Sequence, residues 1–144
     1  MANNVTLPEF FSFKELIYSK YAEDNKISNI PDWPVIANLK YLATCLDEIR
    51  RAWKKPIRVT SGFRCDALNK AIGGVDKSHH KLGLAADIQP YNMKDWEAFK
   101  KFIVGFFEKY EGEFSQVIIE KSGSSEWIHV SFADNRRQIF KIEK

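Results

Sequence analysis

The segment KSHHKLGLAADIQ, Lys77 to Gln89, decides how this chain folds and what it carries. The chain has three histidines, and two of them, His79 and His80, stand side by side here. A lone acid, Asp87, follows among small apolar residues, and AADIQ up to Pro90 reads as a short strand. Ala86 and Ile88 then share one face of that strand and Asp87 takes the other. The third histidine, His129, lies in EWIHVSF, where the same alternation sets Ile128, Val130 and Phe132 against Trp127, His129 and Ser131. Each polar candidate therefore projects away from a core-facing apolar set, as residues lining a cleft would.

Working outward, FSFKELIYSKYAEDN reads as one short amphipathic helix, with Ser12 as N-cap and Glu15 three residues on. The prolines of ISNIPDWP end it. Val35, Leu39, Leu42, Leu46, Ile49 and Trp53 recur in steps of four and three, which predicts a long helix with one continuous apolar stripe. IRVTS, Ile57 to Ser61, reads as a strand, and GFRCDALNKAIGG as a turn, a short helix and a Gly73-Gly74 stop. Trp96, Phe99, Ile103, Phe106 and Tyr110 form a second helical stripe, expected in the core. SQVIIEK and EWIHVSF around SGSS predict a β-hairpin, and RQIFKIE a final strand. Helices first and antiparallel pairing late argue for an α+β fold, a small antiparallel sheet packed against helices. Residues 1–144 are expected to form one domain, since no linker or repeat interrupts them.

Composition narrows the function classes. A net charge of +3 suits an anionic surface, but aromatic and basic residues do not interleave as a nucleic-acid groove requires. Cys45 and Cys65 are too far apart for a CxxC zinc site and too few for a disulfide framework. Cys45 falls on the apolar stripe as a buried thiol, while Cys65 sits in a loop with either role open. MANNVTLPEFF lacks the basic segment and apolar core of a secretory signal, and no apolar run reaches the ~20 residues of a membrane span. The expectation is a monomer made in the cytoplasm, with no membrane insertion.

Two imidazoles and a carboxylate can hold zinc and leave a position open for water. By spacing alone, H-x6-D with a distant histidine leaves two possibilities open: a metal centre, or a surface histidine beside a turn-capping aspartate. The longer string SGFRCDALNKAIGGVDKSHHKLGLAADI, followed by WIHVS, resembles the ordered motifs of the zinc D-Ala-D-Ala carboxypeptidase family. Those motifs are SGxR at Ser61–Arg64, an Asn at 69, the pair Gly73-Gly74, SxHxxGxAxD from Ser78 to Asp87, and WxHxS from Trp127 to Ser131. FSFKELIYS, NIP and the long helix also resemble phage and prophage members.

The resemblance implies the Hedgehog/DD-peptidase fold, a Zn2+ cofactor held by His80, Asp87 and His129, and a peptidoglycan stem peptide as substrate. It also implies phage-type release to the cell wall. It leaves His79 at a variable position, as a solvated neighbour or substrate contact. Ser78 is expected to hold the ligand loop and to lie near substrate, and Arg64 to bind substrate or polarise its scissile carbonyl. Glu126, three residues before His129, matches the general base of the dipeptidase branch, provided the backbone bends before Trp127. Glu120 is the rival, because a hairpin pairing Lys121 with Glu126 would set Glu120 opposite Trp127 on the metal face. Arg136-Arg137 read as a surface turn. The competing class is a non-catalytic zinc-stabilised module that binds cell wall or protein, such as a virion component.

Overall fold

The computed structural model describes residues 8–144; Met1–Leu7, which carry part of the export-signal reading, lie outside the described residues. In chain order the elements are α1 (Phe13–Ile17), α2 (Lys20–Asp24), α3 (Trp33–Trp53), β1 (Ile57–Ser61), α4 (Asp66–Ala71), β2 (Ala85–Pro90), α5 (Trp96–Glu108), β3 (Gln116–Ser122), β4 (Ser125–Ser131) and β5 (Gln138–Glu143). A 3-10 turn, His79–Leu82, precedes β2.

The first predicted helix is in fact two. The Ser12 hydroxyl accepts from the Glu15 N–H as expected, but Tyr18 and Ser19 are extended and the Ser19 hydroxyl caps a second helix at the Ala22 N–H. A serine competes with the helix for backbone donors, and here it restarts one. Helix α3 begins at an Asp32 cap, runs through the predicted stripe, and stops at Lys54 in the left-handed conformation. Asp47, fully buried on α3, accepts from the Glu9 and Phe10 N–H groups at 2.6 and 3.0 Å and draws the N-terminal segment onto the helix.

The sheet order is β1-β2-β4-β3-β5. All pairs are antiparallel except β3 with β5, which run parallel with Gln116 opposite Gln138. The final strand is thus present, added in parallel to the edge of an otherwise antiparallel sheet. The chain leaves β4 beside the start of β3, crosses over that end and lays β5 along the outer edge. Residues 132–137 make the crossing, pinned by the buried Ser115 hydroxyl, which accepts from the Ala133 and Asp134 N–H groups at 2.8 Å.

One sheet face is the core. Ile88, Val117, Ile128 and Val130 are completely buried and join Leu42 and Ile49 of α3 and Phe99 and Ile103 of α5 in one continuous cluster. In the α5 stripe, Phe107 occupies the deep position, with Phe106 and Tyr110 packed at the margin. Cys45 is buried as expected. Cys65 caps α4, its sulfur accepting from the Leu68 N–H at 3.4 Å. The opposite sheet face carries Asp87, His129, Trp127 and Glu120 and is left open by the helices.

Candidate metal centre and its cleft

Strand register brings the ligand candidates together. Asp87 on β2 lies directly opposite His129 on β4, so both side chains leave the same face. His80 arrives from the 3-10 turn. That turn is capped by the Ser78 hydroxyl, which accepts from the His80 N–H, and closes at Gly83 with φ +72°. A side chain at Gly83 would also strike Val35 and Leu39 of α3, so glycine is needed for both space and backbone conformation.

His80 Nε2, His129 Nδ1 and Asp87 Oδ1 form a nearly equilateral triangle, with separations of 3.2, 3.2 and 3.1 Å. Zinc with bonds of ~2.0–2.1 Å in tetrahedral geometry sets its ligand atoms roughly 3.3 Å apart, close to this spacing. The chemistry of the donors fits as well. The Gly62 carbonyl can only accept, so His80 Nδ1 carries the proton and donates at 2.7 Å. In neutral His80, Nε2 is then a bare lone pair aimed at a carboxylate oxygen and at a second imidazole nitrogen. Converging lone pairs with at most one proton among them are what a divalent cation would satisfy. These three residues are a group able to hold a metal ion.

The electrostatics point the same way. Burial pushes the His80 imidazole below its ordinary range, against the opposing pull of Asp87, and so keeps it in the neutral form a metal requires. Burial alone would raise the Asp87 carboxyl, but the imidazoles beside it, His80 first, hold it well below the usual carboxylate range.

Around the triangle lies a cleft of about 580 Å³. Its floor includes Ile118, Glu120, Trp127 and His129, and its far wall is the loop from Ile72 to His80. Arg64 reaches in after β1. Its Nη1 donates to Asn69 Oδ1 at 3.1 Å, and its Nη2 stands 3.8 Å from Asp87 Oδ2. Its Nε is buried with no partner among the described residues. Burial lowers the Arg64 pKa, and Asp87 and Glu120 partly restore it, so the guanidinium remains a cation with donors to spare. A side chain at Gly74 would collide with Asn69 Oδ1 and Arg64 Nη1, so Gly74 keeps the room that this Arg64–Asn69 bond needs.

The two candidate bases are separated by the register. β3 and β4 pair without interruption from Gln116–Ser131 to Ser122–Ser125, around a Gly123-Ser124 turn with positive φ at the glycine. Glu120 therefore lies opposite Trp127, on the metal face, and its Oε2 accepts from the Trp127 indole N–H at 3.0 Å. Glu126 lies opposite Lys121, on the alternate face from His129. β4 runs unbroken from Ser125, so the bend before Trp127 that Glu126 required is absent, and Glu126 does not line the cleft.

Further contributors hold these residues in place, the first of them without an obvious sequence signal. Asn29, in the proline-flanked break, donates to the Ile17 and Phe63 carbonyls and accepts from the Cys65 N–H, which fixes the turn holding Arg64. Gly62 offers the carbonyl that orients His80. Trp127 opens the WxHxS motif and shares the face of His129, but the bond of its indole N–H to Glu120 has no mark in the sequence. His79, expected as a solvated neighbour or substrate contact, accepts at Nε2 from Arg136 Nη2 at 3.2 Å across the cleft rim.

A family model described as Peptidase M15 matches residues 9–131, from the start of the N-terminal segment to the end of β4. A search of curated proteins finds no match.

Proposed function

The chain belongs to the Peptidase M15 family, and from that premise we propose that it is a zinc-dependent metallopeptidase hydrolysing peptide bonds of bacterial peptidoglycan stem peptides. The observation that carries this is the triangle of His80, Asp87 and His129 on the open sheet face, with Arg64 and Glu120 beside it. A bound zinc ion would supply Lewis acidity and bring the pKa of water toward neutrality.

The chain's own residues supply the rest. Glu120 is the general base: Trp127 occupies Oε2 and leaves Oε1 free to take a proton and return it to the leaving amine nitrogen. Arg64, fixed by Asn69 and half-neutralised by Asp87, binds a substrate oxygen, the scissile carbonyl or a carboxylate. Gly62 and Ser78 hold His80 in the tautomer and position that the centre needs. Glu120 is preferred to Glu126 as the base because it is the glutamate that lines the cleft. An intact ligand trio beside an acid and an unspent guanidinium favours an enzyme over a zinc-stabilised binding module. No helix among the described residues is long and apolar enough to cross a membrane.

The test is to incubate purified protein with sacculi and with D-Ala-terminated peptides, with and without chelator, and to identify products by mass. Zinc-dependent release of cleaved stem peptide is expected, whereas intact substrate in every arm would refute the proposal. Glu120→Gln should retain zinc and lower kcat by about 10²- to 10⁴-fold. Glu126→Gln should stay near the parent rate.

A further inference from the structure

Arg136 lies in the crossing between β4 and β5, and the loop that carries it is unusually well anchored. Ser115 accepts from two of its N–H groups, and the Arg137 guanidinium donates to the Gly112 and Tyr110 carbonyls at 2.7 Å. The Arg136 Nε edge is bound to both Asp134 carboxylate oxygens, at 3.0 and 3.1 Å, and Asp134 also accepts from the Arg136 N–H. That leaves the Nη pair as the free edge, and it faces the cleft, with only the neutral acceptor His79 Nε2 on Nη2. A guanidinium whose Nε is already bound is pre-oriented for a planar two-oxygen acceptor.

Its place relative to the chemistry follows from the register. Ile118 is opposite His129, Glu120 lies two residues toward the hairpin turn, and Gln116 lies two residues the other way, where the Arg136 loop joins the sheet. Two strand residues span roughly 7 Å, about the length of two residues of an extended peptide. Arg136 and Glu120 thus flank the metal candidates on opposite sides. The charged groups lining the cleft are Arg64, Lys77, Arg136 and Lys144, set against Asp87 and Glu120 alone. Asp87 is already committed to the imidazoles, and Asp134 offsets Arg136 only from outside the lining, so the lining itself keeps an excess of cations.

Resting on the peptidase proposal above, we infer that Arg136 is a specificity-determining residue that binds a carboxylate of the substrate, displaced by about two residues from the scissile bond on the side away from Glu120. In the free protein His79 occupies part of the fork, and an acidic peptide displaces it with a charged, two-oxygen partner.

The experiment uses the stem pentapeptide L-Ala-γ-D-Glu-L-Lys-D-Ala-D-Ala and two derivatives. One has the D-Glu α-carboxylate converted to carboxamide, and the other has the C-terminus amidated. Binding is measured calorimetrically on zinc-loaded Glu120→Gln protein, with and without Arg136→Gln, and kcat/KM on parent and Arg136→Gln enzyme. One amidation should weaken binding by about fivefold in the Arg136 background. Arg136→Gln should erase that difference by weakening the acid form alone, and Arg136→Lys should restore only part of it. A parent protein with no acid preference, whether it binds all the peptides or none, would overturn the inference. So would an Arg136→Gln variant that weakens all three equally. Selective binding without turnover would sink the peptidase proposal and leave this one standing; turnover without selectivity would do the reverse.

Discussion

The Trp127 indole N–H bound to Glu120 Oε2 shows how much a single donor can decide. It occupies one carboxylate oxygen and fixes which other oxygen faces the cleft. Trp127→Phe keeps the ring and removes the donor, so kcat should fall about threefold to tenfold with zinc content and KM unchanged. The same substitution in a Glu120→Gln background should have almost no effect, a double-mutant cycle that a purely structural role for Trp127 would fail. His80 allows a second prediction. Its imidazole is held below the ordinary 6.5 by burial, so over the window from there downward the unfolded chain binds a proton that the native metal-free protein refuses. Stability then rises with pH through that window. Urea midpoints of the metal-free protein should drop as pH is lowered from 7 to 5, and the drop should be smaller in His80→Ala.

At the scale of elements, the parts legible in the sequence were those set by local periodicity. Alternation in WIHVS and AADI assigned His129 and Asp87 to one face, and the uninterrupted β2–β4 register bears out that assignment. The stripe from Leu39 to Ile49 located α3 for the same reason. What depended on a one-residue choice was not legible. Glu126 and Glu120 differ by which face each meets, and only the closed Ser122–Ser125 turn fixes it. The parallel seat of β5 was hidden too, since an edge strand carries no local mark of the neighbour it will pair with. Gly62 links element packing to the site. An added Cβ there would strike the Leu16 carbonyl, which already accepts from the Phe63 N–H at 2.7 Å, so α1 and the end of β1 would have to separate. Gly62→Ala should cost about 2 kcal/mol in denaturant unfolding. Because the Gly62 carbonyl orients His80, it should also weaken zinc retention in chelator competition, which a core substitution at least as destabilising, such as Ile103→Ala, would not.

Across the whole molecule, the metal candidates form a second junction, on the sheet face that the core does not occupy. His80 belongs to the long β1–β2 connection, Asp87 to a central strand, and His129 to the hairpin, and their side chains meet on the face opposite the α3–α5 core. Without an ion, that meeting sets a carboxylate and two imidazoles against one another at 3.1–3.2 Å, joined only by the attraction of the imidazoles for the Asp87 carboxylate. With one, the unfolded chain has no equivalent site, so the binding free energy adds to folding free energy. At free zinc a thousandfold above Kd the gain is about 4 kcal/mol, or on the order of 10 °C in Tm for a chain of this size. Because one continuous cluster takes in helices and sheet, unfolding should be a single transition that zinc moves as a unit. Differential scanning calorimetry of the parent should show that shift, and it should be lost in His80→Ala, Asp87→Ala and His129→Ala, which should also lose hydrolysis. Glu120→Gln should keep the full shift while losing turnover, separating the residues that hold the ion from the one that moves the proton. A parent Tm unchanged by zinc would mean that the three side chains converge for some other purpose.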